Sequence, residues 1–381
     1  MVMFGETIDF IRSIFGDKAS VGLHEPCFSG NEKKYLNECI DSTFVSSVGK
    51  FVDRFEELVA DYVGAEYGVA TVNGTAALHI ALKLADVGPG TEVITQPLTF
   101  VATCNAIAYC GAEPIFVDVD TESLGMSAES LRRFLELNTY RENGYCFNRR
   151  SRKRIAAVLP MHTFGHPCRI VEIAALCHEY GIVLVEDAAE SLGSRFQGTH
   201  MGLFGKIGVF SFNGNKTITT GGGGMIVTND RELAVAAKHM TTTAKVPHPY
   251  EYHHDAIGYN YRMPNINAAL GCAQMERLEV LLDAKRELAH RYAAFFQDSP
   301  IRFIHEPSGA HSNYWLNAVL TADREERDCF LRVTNDAGIM TRPVWQLMNR
   351  LPMFSTAHCE SLDNAVRLEE RLVNIPSGVK L

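Results

Sequence analysis

The chain has 381 residues, 46% of them hydrophobic, which is enough for a large core and suggests one large and one smaller domain. Its formal net charge of −9 argues against nucleic acid or an anionic membrane as the main partner, although a local basic pocket for a phosphorylated ligand stays open. No run of about 18 apolar residues occurs, so no membrane span is expected. The ten cysteines are scattered with no C-x-x-C pair. That spacing speaks against zinc and redox sites and for buried, reduced thiols in a cytoplasmic protein.

The opening stretch, Met1 to Ser20, carries Glu6, Asp9 and Asp17 and lacks a basic region followed by an apolar block. It reads as a short amphipathic helix rather than a secretory signal, with Phe4, Ile8, Ile11 and Phe15 on one face. From about Ala65 to Thr228, short apolar strands alternate with helical stretches. The strands are expected at Gly68–Val72, Glu92–Thr95, Ile115–Asp118, Ile155–Pro160, Ile182–Asp187, Val209–Phe212 and Met225–Thr228. Helices are expected at Thr75–Ala85, Val101–Cys110 and Arg169–Tyr180. Alternation of this kind predicts an α/β fold, with a mostly parallel seven-stranded sheet between helices.

Thr139 to Arg154 interrupts the rhythm and crowds Arg149, Arg150, Arg152, Lys153 and Arg154 together. It reads as a solvated surface hairpin, or else as a basic lip near an anionic ligand or a subunit contact. Composition shifts after Pro247. Helical periodicity runs from Asn265 to Gln297, and a helix over Glu325–Ala337 separates strand-like pieces at Tyr314–Leu320 and Ile339–Arg342. The expected domains are therefore 1–247, large, with an N-terminal helical segment, and 248–381, a smaller α/β unit.

Ligands gather at the carboxyl ends of parallel strands, and chemistry-bearing residues cluster there. Asn73-Gly74-Thr75 opens a helix after a strand, where free N–H groups suit a phosphate; Thr75 also reads as a simple cap. Asp187 closes an apolar strand, where a carboxylate is costly without a partner. A pyridinium nitrogen would supply one, and so would a helix cap or a salt bridge. Ser211 precedes Lys216 by five residues and could donate to a phosphate. Lys216 follows an apolar strand and precedes a Thr/Gly-rich turn, an unusual setting for a lysine and a usable one for a nucleophile. Gly221 to Gly224 lead into a strand, unlike a dinucleotide-binding glycine motif. Phe100 could stack on a flat ring or pack in the core. Glu190, three residues after Asp187, could reach the same ligand. His162, His311, Tyr314 and Trp315 are candidates for a substrate pocket, and each reads equally well as a core residue. No metal site is expected.

Together these residues resemble the DegT/DnrJ/EryC1/StrS family of sugar aminotransferases, which are fold-type I pyridoxal-phosphate enzymes. The resemblance rests on six blocks in order: Asn31 to Tyr35, Asn73 to Leu78, Thr99 to Thr103, Glu186 to Glu190, Ser211 to Lys216 and Gly258 to Met263. It implies pyridoxal 5'-phosphate as cofactor. Lys216 would bond it covalently and Asp187 would face its ring nitrogen. Phe100 would stack on the ring, while Gly74, Thr75 and Ser211 would cradle the phosphate. Glu190 would lie near the phenolic oxygen. Asn260 resembles an asparagine that reaches the phosphate from a neighbouring subunit, which implies a homodimer with shared active sites.

The run Asn213 to Thr220 is similar to the branch acting at C4 of nucleotide-linked 4-keto-6-deoxy sugars. Phe44 to Lys50 and the insert at Thr139–Arg154 resemble LegC-type transaminases of legionaminic-acid-like nonulosonate pathways. The resemblance implies transfer of an amino group from L-glutamate to C4 of UDP-4-keto-6-deoxy-N-acetylglucosamine or a similar sugar, with Lys216 also moving the proton. A GDP-4-keto-6-deoxy-sugar aminotransferase of the perosamine type is the alternative. Gly222, where many relatives carry glutamate, weighs against the perosamine type. A 3-dehydratase would have histidine in place of Lys216, and a regulatory relative without chemistry would not need Asp187, Ser211 and Lys216 together.

Overall fold

A computed structural model describes residues 4–16, 18–379 and 381. Met1 to Met3 and Asp17 of the opening stretch lie outside the described residues. The seven expected strands all form, within a residue or two of their expected ends. In chain order with the hairpin between them they are β1 (Tyr67–Thr71), β2 (Thr91–Thr95), β3 (Glu113–Phe116), β4 (Thr139–Glu142), β5 (Tyr145–Asn148), β6 (Arg154–Leu159), β7 (Val183–Asp187), β8 (Ile207–Ser211) and β9 (Gly224–Thr228).

The sheet runs β1-β9-β8-β7-β6-β2-β3 and ends on His358–Cys359, with the β4–β5 hairpin attached to β6. It therefore has ten strands rather than seven. The extra three are short or polar, and carry no apolar run by which to recognise them. Neighbours from β8 through β3 pair in parallel, and only β9 among the long strands runs against both its neighbours. Parallel strands buried on both faces need continuous apolar runs, and Val158-Leu159 and Leu184-Val185 supply them.

The expected helices form at Gly74–Leu84, Val101–Tyr109 and Ile170–Tyr180. Ala77, Leu78, Ile80, Ala81 and Leu82 are all buried, so the first of these is wrapped by the sheet and by its neighbours. Asn73 starts it, its side chain accepting from the Ala76 N–H at 2.8 Å. The reversal at β9 has a local consequence. Because Ser211 pairs with Gly224, residues 212–223 close into a compact loop. Phe212 N donates to Gly223 O at 2.9 Å and Thr220 N donates to Phe212 O at 3.0 Å. Lys216 sits on that loop.

The second unit is a four-stranded antiparallel sheet, Arg302–Phe303, Asn317–Leu320, Leu372–Ile375 and Arg342–Pro343 in spatial order, with helices Leu278–Phe295 and Arg324–Asp336. The strand expected over Tyr314–Leu320 begins only at Asn317, because Tyr314 and Trp315 bond to side chains instead. Ile339 bridges Val21, so the later strand starts at Arg342. The expected helix over Asn265–Gln297 is two helices, Asn265–Met275 and Leu278–Phe295, broken at Glu276–Arg277.

Core packing does not follow chain order. The amphipathic helix Gly5–Phe15 buries Ile11 and Phe15 among Tyr292, Phe330 and Val373 of the second unit. The helix Asn265–Met275 packs Ala268, Ala269 and Cys272 against Phe51 and Phe55 beside the main sheet. The contact is close: a Cβ on Gly271 would lie 2.6 Å from the Phe55 ring.

The Thr139–Arg154 insert is the hairpin expected, with Arg149, Arg150 and Arg152 exposed. It joins β6 at Arg154, where that strand begins. The ligand end of the sheet is at the other end of β6, so this basic hairpin is not a lip to a ligand there. No helix among the described residues is long and apolar enough to cross a membrane.

Candidate active site

The carboxyl ends of β1, β6, β7 and β8 converge on a cavity of about 300 Å³. Gly74, Thr75, Phe100, Asp187, Glu190, Ser211 and Lys216, scattered over more than a hundred residues of sequence, all line it. Each arrives by a local rule. Asp187 and Ser211 end their strands. Gly74 and Thr75 begin a helix, and Phe100 precedes one.

Alternation along β7 divides two adjacent acids between two tasks. Glu186 points into the core, where it accepts backbone N–H groups from Gly202 at 2.9 Å and from Phe204 and Gly205 at 2.6 Å each. Asp187 points at the cavity. It is 3% exposed, its Oδ2 accepts from Thr103 Oγ1 at 2.7 Å, and its Oδ1 accepts from Ala189 N at 3.2 Å. Burial pushes its pKa above the usual carboxylate value; the Thr103 hydroxyl, the Ala189 amide and the Lys216 charge pull it back down. A cationic partner in the cavity would favour the ionised form further.

Lys216 is nearly enclosed, with its side chain 12% exposed. Its Nζ lies 3.1 Å from Glu190 Oε1 and 3.7 Å from the centre of the Trp315 ring. Glu190 is buried, and its other oxygen accepts the Phe164 N–H at 2.9 Å. Burial raises the Glu190 pKa; Lys216 and the Phe164 amide oppose that shift. Glu190 does not reach its place on a helix, since residues 188–193 form turns after β7.

A pyridoxal phosphate fits these residues. The N-terminus of the Gly74–Leu84 helix, at Gly74 and Thr75, turns the positive end of the helix and its first backbone N–H groups toward an anion. The space in front of it depends on glycine, because a Cβ on Gly74 would stand 2.9 Å from Ser211 Cβ and 3.2 Å from Ser211 Oγ. Asp187 supplies a buried acid for a ring nitrogen, and the half-exposed Phe100 ring supplies a flat face at the cavity wall. Lys216 supplies the amine.

The expected substrate residues divide. Trp315 lines the cavity, and His162, His311 and Tyr314 do not. His162 is a core residue with both ring nitrogens in use. The Cys168 N–H points at Nδ1 at 3.2 Å, so the ring proton sits on Nε2, which meets Glu186 Oε2 at 3.1 Å. His311 is exposed on a two-residue strand paired with Arg195–Phe196. Tyr314 faces away from its neighbour Trp315. Its ring packs against Phe303 and His166, and its Oη accepts the Glu306 N–H at 3.0 Å. Asn260 is exposed and outside this chain's cavity.

Four residues at the site were given no role from the sequence. Thr103 orients Asp187, and its only signals were its place one helical turn from Thr99 and in the block Thr99 to Thr103. Asn213 and Asn215 precede the lysine and line the cavity. Trp345 forms part of the far wall, edge-on to Phe100 at 6.2 Å. The chain has two tryptophans, and both line this cavity; that scarcity was a usable signal.

Comparison with known proteins agrees with the site. The model of the DegT/DnrJ/EryC1/StrS aminotransferase family matches residues 26–381. GDP-perosamine synthase from Escherichia coli O157:H7 is 38% identical over 357 residues, covering 94% of this chain and 93% of that protein. GDP-perosamine synthase from Vibrio cholerae is 36% identical over 360 residues, covering 94% of each. Among solved structures, the aminotransferase TlmJ from Streptoalloteichus hindustanus is similar with a TM-score of 0.84 at 29% identity, over 93% of both chains.

Proposed function

The chain belongs to the DegT/DnrJ/EryC1/StrS aminotransferase family and is a pyridoxal-phosphate-dependent sugar aminotransferase of nucleotide-sugar biosynthesis; from that premise we propose that it aminates C4 of a nucleotide-linked 4-keto-6-deoxy sugar, with L-glutamate as donor. The relatives named for GDP-perosamine favour a GDP-linked sugar over the UDP-linked N-acetylglucosamine derivative that the sequence alone suggested. The glycine at 222 is compatible with this: a Cβ added there would have Val72 O as its nearest neighbour, at 3.6 Å, so packing does not require a glycine and its presence is weak grounds for setting the perosamine type aside.

The observation that carries the reading is the enclosed Lys216 amine in one cavity with Asp187 and the open helix start at Gly74. When bound, pyridoxal phosphate would hold the migrating amino group and take up the electrons left as a substrate proton departs. In this assignment Asp187, steadied by Thr103, keeps a negative charge at the ring nitrogen. Gly74, Thr75 and Ser211 hold the phosphate. Phe100 covers one ring face. Lys216 Nζ anchors the cofactor and, once free, carries the proton as general base and then general acid. Glu190, within hydrogen-bond reach of that Nζ, holds the amine toward the cavity.

Two further features belong to the same proposal. The enzyme acts as a homodimer, with Asn260 contributed to the partner's phosphate. In support, Asn260 lies on an exposed stretch where Tyr250, Tyr252 and Ile257 are each more than 80% exposed, which is costly for a monomer. The location is cytoplasmic, consistent with ten free cysteines.

The test is a panel of GDP- and UDP-linked 4-keto-6-deoxy sugars with L-glutamate, read by mass and by NMR at C4. Amination at C3, or none with any 4-keto sugar, would overturn the reading. Lys216→Ala should lower turnover by roughly a thousandfold or more, because both the anchor and the proton carrier are lost.

A further inference from the structure

Trp315 is held on three sides. Its indole Nε1–H donates to Asn215 O at 2.6 Å, the carbonyl of the residue just before Lys216. Its backbone N–H donates to Asn313 Oδ1 at 2.8 Å, and its backbone carbonyl accepts from Lys285 Nζ at 3.1 Å. Asn313 in turn donates to Glu190 O at 2.8 Å and Leu192 O at 2.9 Å. One short segment of the second unit thus fixes the loop bearing Lys216 and the loop bearing Glu190. The ring presents its face, not its edge, to the Lys216 amine, well inside the reach of about 6 Å at which a cation is attracted to an indole.

We propose that Trp315 is a positioning residue for Lys216. Its π face holds the amine whenever that amine is free and carries a proton, so that Nζ stays between the indole and Glu190 rather than turning to solvent. The hydrogen bond to Asn215 makes the ring and the lysine backbone move as one body. A free lysine side chain has many rotamers, and confining it raises the fraction aimed at the cavity. The proposal rests on Lys216 being the cofactor lysine.

The test begins with cofactor-free protein carrying W345F, which leaves Trp315 as its one tryptophan. A protonated amine against an indole face quenches its emission. Lys216→Met should therefore raise Trp315 emission by at least about twofold, while Lys83→Met, in the last turn of the Gly74–Leu84 helix and away from the cavity end, should leave it unchanged. Unchanged emission in K216M overturns the proposal. The second measurement follows uptake of pyridoxal phosphate by visible absorption in proteins that keep Trp345. W315L should take it up about tenfold more slowly, whereas W315F, which retains a π face, should stay within about threefold of wild type. Equal losses in both variants, accompanied by a fall in melting temperature, would mean simple packing and would also overturn it. Should W315L fail to fold, the emission result still decides. Borohydride reduction of the holoenzyme followed by peptide mapping tests the premise by itself: label on another lysine removes the cofactor assignment but leaves the emission result intact.

Discussion

Lys285 is buried without a carboxylate partner among the described residues; its Nζ donates to the carbonyls of Trp315 at 3.1 Å and Ser377 at 2.9 Å. Burial lowers its pKa from the usual 10.5 to about 7. The folded chain therefore resists protonation that the unfolded chain accepts. Below about pH 7 both states carry the proton and the whole penalty applies. Between about 7 and 10.5 the unfolded state holds more protons, so stability climbs as pH rises. At about 1.4 kcal/mol for each pH unit, the gap from 10.5 to about 7 amounts to roughly 5 kcal/mol. The two carbonyl acceptors favour the ammonium, which makes that figure an upper bound. Lys285→Met removes the titration and leaves both carbonyls unpaired, a cost of about 1–3 kcal/mol each that does not vary with pH. The slope, not the offset, is thus the signature. Denaturant unfolding of cofactor-free wild type and K285M, at one protein concentration from pH 7.5 to 9.5, should show wild type gaining about 2–3 kcal/mol relative to the variant. Neighbouring groups do not mimic this. His24, whose ring nitrogens are buried, titrates well below the window, and burial pushes the Tyr292 phenol above it. Parallel curves would refute the argument.

Asp187→Asn should split activity from stability. Asn keeps an acceptor for the Ala189 amide and can meet the Thr103 hydroxyl, while the buried charge is gone. Because burial raises the Asp187 pKa, the folded state disfavours the ionised acid, so cofactor-free D187N should be more stable than wild type at pH 7 and should lose that advantage as pH falls. Turnover should drop by about a hundredfold or more, measured beside the melting curves. Gly74→Ala tests the phosphate cradle. Its Cβ would crowd Ser211 at 2.9 Å, so pyridoxal phosphate affinity should fall by about tenfold or more while the helix, which alanine favours, stays intact by circular dichroism.

The sequence was most legible where one local rule decides the structure. Apolar runs marked the seven long strands, because a strand buried on both faces has little choice of residue. The residues at their carboxyl ends, Asp187 and Ser211 among them, then fell into the site by topology alone. Legibility failed where the deciding partner is remote in the chain. Nothing near Asn265 announces that its helix will pack on Phe55 rather than on the helix that follows it. His162 read equally well as a pocket or a core residue, and the core reading holds because Glu186 and the Cys168 amide claim both of its nitrogens. Tyr314 and Trp315 were indistinguishable as neighbours, and one faces the second unit's core while the other faces Lys216.

The same contrast bears on how the site is divided between the two units. Every group of this cavity assigned to the cofactor comes from the main sheet's carboxyl edge or the loops and helices beside it, whereas Trp315 and Trp345 come from the second unit. The second unit's grip is made of backbone partners: Asn313 to the carbonyls of Glu190 and Leu192, Trp315 to the carbonyl of Asn215. Backbone carbonyls carry no residue identity, so a grip of this kind leaves the side chains at 190, 192 and 215 free to differ without loosening the joint. Cofactor binding can then stay fixed on the sheet while the cavity wall that faces a sugar is altered.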